Sequence, residues 1–309
     1  MSNDYFKVTV VGAGKVGMTA AYALLLAGFC QEIVLFGRDK NKLVGEKLDM
    51  EHAMALSHQA KITISDDYAE LAGTDVFVFC AGAAQNPGDT RLDLAAKNLA
   101  IVEQMVPQLM AAAPDALLLM VANPVDLMTY KATQLVQARP GQIFGSGTLL
   151  DTARFRFHLS EFLPVNPRSI HAYVLGEHGD HSFPVLSSAT IGGQKLVDFP
   201  DFSREQAQTA YQKARDAAYA IIESKGATYY GIGASITKIV RTIWNHGQTV
   251  LPLSVPLTDY YGQDGMAASV PCVLGRTGVQ RVITVQLDEA EQGELAAGLV
   301  ALKEVYQSV

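Results

Sequence analysis

The stretch Phe6-Lys7-Val8-Thr9-Val10-Val11-Gly12-Ala13-Gly14-Lys15-Val16-Gly17 decides the fold. A β-rich apolar run ends at G-x-G-x-x-G, and helical spacing takes over in Val16–Ala27. In that strand–turn–helix setting the first glycine permits the tight turn, the second admits a diphosphate to the backbone, and the third lets helix and strand pack closely. The helix start then offers free N–H groups and a partial positive charge. The bland alternative is a glycine-rich turn with no ligand, and the context argues against it.

Outward from this turn the first half repeats the rhythm. Glu32–Phe36, Lys61–Ile64, Asp75–Cys80, Ala116–Val121 and Gln142–Phe144 read as strands, with mostly helical segments between them. Alternating β and α units with right-handed crossovers predict an α/β, doubly wound parallel Rossmann sheet. The second half reads as a C-terminal α+β substrate domain. A helix follows Gly147 and runs to about Leu163, with strands at Ile170–Leu175 and Val185–Ile191. Ala207, Ala210, Tyr211, Ala214, Ala218, Ile221 and Ile222 have helical spacing, and Gly226 interrupts it. A further helix covers about Thr228–Trp244, strands lie near Val250–Leu257, Ser269–Val273 and Val279–Val285, and a closing helix begins near Asp288. The expected division is 1–145 for dinucleotide binding and 146–309 for the substrate. No flexible linker marks it, so a packed interface is expected.

Bulk properties narrow the function. The 309 residues are 49% hydrophobic, enough for a large core. A formal charge of −7 disfavours general binding to nucleic acid or acidic membranes. Cys30, Cys80 and Cys272 form no CxxC pair, which argues against a disulfide framework or a metal site and fits a reducing cytoplasm. Met1–Lys7 lacks a targeting pattern, and the apolar Thr19–Phe29 is too short to cross a bilayer.

The chemistry-bearing stretch is Gly176-Glu177-His178-Gly179-Asp180, read with Asp151, Arg154 and Arg91. A histidine can pass a proton, an aspartate can orient its ring, and an arginine can clamp a carboxylate by two parallel bonds. Each residue has a plainer reading: a structural histidine, or an Asp151–Arg154 helix pair at i,i+3. Taken with the glycine turn, the set supplies what hydride transfer to a 2-oxo acid requires.

These motifs, together with Gly82–Arg91, Val121-Ala122-Asn123-Pro124-Val125, Leu150–Arg156 and Lys225–Ile232, resemble the lactate/malate dehydrogenase family in order and spacing. The resemblance covers nearly the whole chain and comes nearest to bacterial L-lactate dehydrogenases. It implies an enzyme with His178 as proton donor and acceptor, Asp151 as its orienting partner, Arg154 as carboxylate clamp and Arg91 as a loop-borne group that polarises the carbonyl. Asn123 would bond near the nicotinamide and the substrate oxygen, Thr228 would line the pocket, and Val16, Val121 and Ile232 would meet the cofactor. Gly12, Gly14 and Gly17 would form the cofactor turn. Gln85 takes the loop position that faces the substrate's substituent. Malate dehydrogenases carry arginine there, and a neutral residue would leave a second buried carboxylate uncompensated. Pyruvate is therefore the expected substrate. A broader 2-hydroxyacid dehydrogenase, a malate dehydrogenase and a non-catalytic dinucleotide-binding protein are the competing readings.

Three departures or additions accompany the resemblance. Gly37 occupies the position where NAD-binding relatives place an acid, and Arg38, with Lys40 and Lys42 nearby, is placed to pair with a 2′-phosphate. NAD or NADP is thus expected, with Asp39 a partial substitute for the missing acid. His181-Ser182 stands where a small hydroxyl residue and an acid usually follow Asp180. Arg156 and His171 match the positions that form a fructose 1,6-bisphosphate site between subunits in activated bacterial enzymes. The plainer alternative is an intrachain ion pair for Arg156 and a buried His171. The first strand begins by Phe6, without the long arm of vertebrate relatives, and the resemblance implies a homotetramer of bacterial type.

Overall fold

The computed structural model describes residues 5–83 and 90–309, with Arg91 described by its backbone alone. Six strands, β1 (Lys7–Val11), β2 (Glu32–Phe36), β3 (Lys61–Ser65), β4 (Val76–Phe79), β5 (Leu117–Met120) and β6 (Ile143–Gly145), pair in parallel. Their order is β3-β2-β1-β4-β5-β6. It reverses beside β1, which pairs on one edge with β2 and on the other with β4. That reversal opens the crevice in which doubly wound sheets bind ligands. Every residue of β1, β2, β4, β5 and β6 is buried, as expected for strands covered on both faces.

The crossovers carry α1 (Lys15–Ala27), α2 (Lys40–Ala53), α3 (Arg91–Ala112) and α4 (Val125–Leu135). Local chemistry sets several of their starts. Asp39 caps α2 by accepting the Lys42 N–H, and Thr90 and Asp93 form a reciprocal capping box at α3. Helix α3 continues through Pro107, whose missing N–H removes one internal bond.

The second lobe contains α5 (Leu149–Ser160), β7 (Ile170–Gly176), β8 (Ser182–Ile191), β9 (Gln194–Lys195), α6 (Arg204–Lys225), α7 (Tyr230–Trp244), β10 (Thr249–Pro256), β11 (Ala267–Gly275), β12 (Gly278–Val282) and α8 (Glu289–Ser308). Gly226 ends α6 at φ 82°, a left-handed cap that glycine adopts without a Cβ penalty. Strand β10 meets β6 through an antiparallel bridge between Ser254 and Gly145. The sheet therefore runs on without a break as β10-β11-β7-β8-β9, with β12 paired to β11. A core containing Phe6, Phe77, Phe144, Ile236, Leu253 and Leu299 spans both lobes. A smaller one, around Phe155, Ile170, Ala210 and Tyr211, joins α5, α6, β7 and β8. Helix α7 lies against α1 so closely that a Cβ on Gly233 would come within 2.9 Å of Thr19 Cγ2. The expected packed interface between the lobes is thus present.

The expected elements are found, with shifted ends. Helix α5 stops at Ser160 and α7 starts at Tyr230, so Thr228 lies in the connection between helices. Strand β11 is longer than expected, β12 ends at Val282, and the two-residue β9 had no sequence signal. Among the described residues no helix is long and apolar enough to cross a membrane.

Candidate active site

The glycine turn behaves as its spacing demands. Gly12 has φ 105°, and a Cβ there would lie 2.7 Å from the Ala81 nitrogen. A Cβ on Gly17 would lie 2.1 Å from the Gly12 carbonyl oxygen and 3.2 Å from Val10 Cγ1, so helix and strand could not approach as they do. A Cβ on Gly14 would meet no protein atom within 4 Å. Helix α1 starts beside that clear approach with no side-chain cap and no acid in its first turn. Open backbone N–H groups facing clear space fit a dinucleotide's diphosphate.

At the end of β2, Gly37 donates its N–H to the Ser65 carbonyl at 3.0 Å. Arg38 is exposed and makes no ion pair among the described residues. Asp39 is engaged as the α2 cap, accepting the Lys42 N–H at 3.1 Å. Lys40 pairs with Asp66 at 2.8 Å. At the strand end Asp39 and Lys40 are thus engaged, whereas Arg38 has no ion-pair partner among the described residues.

Helix α5 places Asp151 and Arg154 one turn apart, where i,i+3 side chains meet. Arg154 Nη1 donates to Asp151 Oδ1 at 3.2 Å, while Asp151 Oδ2 lies 2.6 Å from His178 Nδ1. The Asp151–Arg154 helix pair and the Asp151–His178 pair therefore coexist through the two oxygens of one carboxylate. His178 Nδ1 is occupied and its Nε2 makes no hydrogen bond among the described residues. The negative charge of Asp151 pushes His178 up to about 9, with burial acting in the opposite direction. Burial by itself would raise Asp151, but His178 and Arg154 together hold it below its ordinary value. Imidazolium beside carboxylate is consequently the resting state at neutral pH.

Two buried residues that the sequence did not single out brace the elements around this arrangement. Asp126, in the first turn of α4, is 2% exposed. Its Oδ2 accepts the His178 backbone N–H at 2.7 Å, and its Oδ1 accepts the Ser254 hydroxyl at 2.5 Å. Burial pushes its carboxyl up to about 6. The available signal was an acid inside the otherwise apolar run Val125-Asp126-Leu127-Met128. Asn98 on α3 is 3% exposed and accepts the Ala83 N–H at 2.7 Å. It donates to the Asn123 carbonyl at 2.6 Å, tying the Gly82 segment to the turn that carries Asn123.

The turn from β7 to β8 presents His178 through Gly176, at φ 87°. Glu177 accepts the His181 N–H at 3.2 Å and is raised by burial. The departure at 181–182 has a structural counterpart. The Ser182 hydroxyl donates to the Gly179 carbonyl at 3.1 Å and meets the Tyr211 hydroxyl at 3.1 Å, and Tyr211 also donates to the Ser182 carbonyl. A neutral hydroxyl pair thus occupies the place of the usual acid. His181 is exposed.

A cleft of about 290 Å³ brings most of the sequence-derived set together. Val16, Val121 and Asn123 line it from the first lobe, and Asp151, Arg154, His178, Thr228 and Ile232 from the second. Helix α6 adds Tyr211, Arg215 and Tyr219, which were not foreseen, and Tyr219 donates to Asp180 Oδ1 at 3.1 Å. Arg91 is the first residue of α3. Gln85 lies outside the described residues. Arg156 and His171 are not part of this cleft. Arg156 Nε donates to the Ala172 carbonyl at 2.8 Å, its guanidinium sits 5.3 Å from the Tyr173 ring, and burial lowers its ordinary value. His171 is exposed, not buried, and Arg156 makes no ion pair among the described residues.

Comparisons with known proteins cover nearly the whole chain. Residues 6–145 match the lactate/malate dehydrogenase NAD binding domain, and residues 148–309 match the alpha/beta C-terminal domain of the same family. L-lactate dehydrogenase 2 of Bacillus cereus is 40% identical over 313 residues, covering 100% of both chains. L-lactate dehydrogenase of Bacillus caldotenax is 40% identical over 303 residues, covering 97% of this chain and 96% of its own. The minor L-lactate dehydrogenase of Enterococcus mundtii, solved with ligands bound, superposes with a TM-score of 0.95 at 36% identity, covering 99% of this chain and 98% of that one. With a dinucleotide-binding sheet and a His178–Asp151–Arg154 cluster joined in one cleft, and both halves matched, the chain belongs to the lactate/malate dehydrogenase family.

Proposed function

We propose that the protein is an L-lactate dehydrogenase that interconverts pyruvate and lactate. The observation that carries this reading is the Asp151 carboxylate, which holds His178 Nδ1 with one oxygen and Arg154 with the other inside the cleft. Arg154 receives the substrate carboxylate as a planar fork. His178 gives the proton on Nε2 to the 2-oxo oxygen during reduction and takes it back from the hydroxyl during oxidation. Asp151 stabilises the cationic ring before transfer. Asn123 orients the oxygen from the opposite wall, and Thr228 and Ile232 shape the apolar side. Arg91 polarises the carbonyl from the start of α3. A bound nicotinamide supplies or accepts the hydride.

Pyruvate is favoured over oxaloacetate because Gln85 brings no positive charge for a second carboxylate. The names of the curated relatives support the same choice. Residues 1–145 serve the dinucleotide and 146–309 the substrate. The cofactor is NAD, with NADP tolerated because Gly37 removes the repelling acid and Arg38 is uncommitted. A Cβ on Gly37 would sit 3.7 Å from Ala13 Cβ and Leu43 Cδ1, so the absence of an acid there is not forced by crowding. The assembly is a homotetramer activated by fructose 1,6-bisphosphate. Exposed His171, with Arg156 bonded to the neighbouring Ala172 carbonyl, supports an anion site on that face.

The test is turnover on a panel of 2-oxo acids with NADH and with NADPH. The expected result is the highest kcat/KM for pyruvate. A preference for oxaloacetate would overturn the substrate assignment, and no turnover at all would leave a dinucleotide-binding protein.

A further inference from the structure

Beside the glycine turn, where the lobes meet, positive charge gathers without acid partners. Lys15 is exposed and opens α1 directly after Gly14. Its Nζ lies 4.0 Å from the place a Cβ on Gly226 would take. Next to Gly226, at the end of α6, Lys225 holds its Nζ 3.6 Å from the Tyr229 ring centroid and 4.0 Å from that of Tyr230. Hydrogen bonding to Lys225 draws the Tyr229 hydroxyl below its ordinary value, and the charges of Lys225 and Lys15 act in the same direction. Two ammonium groups from opposite lobes thus bear on one phenol.

Neither lysine makes an ion pair among the described residues, although the chain as a whole carries a net charge of −7. Aromatic faces hold an ammonium group weakly when solvent reaches it. Close to this pair lie the clear approach at Gly14 and a helix start with neither cap nor acid. Thr228, on the cleft wall, is three residues beyond Lys225. A ligand that bridged the two lysines would therefore also fix the connection carrying Thr228.

We propose that Lys15 from one lobe and Lys225 from the other, with the Tyr229 hydroxyl, bind the cofactor's diphosphate and so fix the Gly226–Tyr229 connection in its place at the cleft. This rests on the dinucleotide reading of the glycine turn. Each lysine exchanges a solvated or aromatic neighbour for a phosphate oxygen, and Tyr229 adds a third donor. The glycine turn supplies backbone donors on one side only, and the clamp supplies the second side from the other lobe.

The experiment measures binding of ADP-ribose, which carries the diphosphate without the nicotinamide, and of adenosine, which lacks the diphosphate. The parent, Lys15→Gln, Lys225→Gln, the double variant and Lys225→Arg are compared by calorimetry at low and high salt, with thermal melts to confirm folding. At low salt each glutamine substitution is expected to weaken ADP-ribose binding about three- to thirtyfold, more in the double variant. The gap should narrow at high salt, because the lost interaction is a screened charge pair. Adenosine binding should stay at the parent value, and Lys225→Arg should retain most of the ADP-ribose affinity. Parent-like ADP-ribose binding by Lys225→Gln at low salt would overturn the clamp, as would equal losses for ADP-ribose and adenosine. A parent that binds neither ADP-ribose nor NADH would overturn the dinucleotide reading itself.

Discussion

Replacing Asp151 by asparagine removes one charge and leaves the shape of the site in place. The amide oxygen can still accept the His178 Nδ1–H, which lies 2.6 Å from the carboxylate in the parent, so the ring keeps its tautomer. What disappears is the largest influence raising His178 to about 9. Burial, which acts in the other direction, remains. The ring should then titrate at or below its ordinary value of 6.5. Each pH unit is about 1.4 kcal/mol, so the charge of Asp151 favours imidazolium by at least roughly 3 kcal/mol, since burial opposes it. At pH 7.5 the protonated fraction falls from about 97% to about 9% or less. In the proposed mechanism pyruvate reduction draws on the protonated ring, so kcat/KM should drop at least about tenfold at that pH. The assay is kcat/KM for pyruvate from pH 5.5 to 10 at saturating NADH. The parent should hold a plateau and lose activity as pH rises through about 9. The variant should lose it at 6.5 or below and recover most of the protonation deficit at pH 5.5. A midpoint still near 9, or a loss by the same factor at every pH, would refute the reasoning.

Other perturbations separate the remaining roles. Arg154→Lys should lower kcat/KM for pyruvate at least tenfold, because an ammonium group cannot reproduce the fork and charged bonds are each worth roughly 1.5–3 kcal/mol; an unchanged value would put the carboxylate elsewhere. Asp126→Ala leaves the His178 N–H and the Ser254 hydroxyl without their partner. At about 1–3 kcal/mol for each orphaned group it should lower both the melting temperature and kcat, and a variant matching the parent in both would remove Asp126 from the site. Gln85→Arg should move the ratio of specificity constants from pyruvate toward oxaloacetate, and no movement would show that Gln85 does not face the substituent. Arg38→Ala should weaken NADPH use more than NADH use, while Gly37→Asp should shift preference toward NADH; equal effects on the two cofactors would return the ribose to backbone groups or Asp39.

The sequence disclosed those parts of the molecule whose physics is local. The runs that became β1, β2, β4 and β5 were legible because strands buried on both faces are predominantly apolar, with Lys7, Thr9 and Glu32 the buried polar exceptions. The glycine turn was legible because two of its glycines fill spaces where any Cβ would collide. Asp151 and Arg154 were legible because one helical turn sets their spacing. Asp126 was not, because its partners lie 52 and 128 residues away and nothing near it in the chain announces them. Asn98 escaped notice for a similar reason, since it acts between Ala83 and Asn123. The α6 stripe was read correctly as one helix face, but periodicity does not say what lies opposite a face. Ala207 and Ala210 meet the core, Ala214 meets both the core and the cleft, and Ala218 and Ile222 turn out to line the cleft. Strand β9, Gln194–Lys195, is exposed and too short to carry any pattern.

The central claim is that His178 moves the proton. It is tested most directly by comparing the parent and His178→Ala for NADH binding and for pyruvate reduction, the latter with NADH deuterated at the transferred position to establish that chemistry limits the rate. The account predicts unchanged NADH affinity and a reduction rate lower by about 10²–10⁴-fold. A near-parent rate in His178→Ala, with the isotope effect showing chemistry to be rate-limiting, would contradict it.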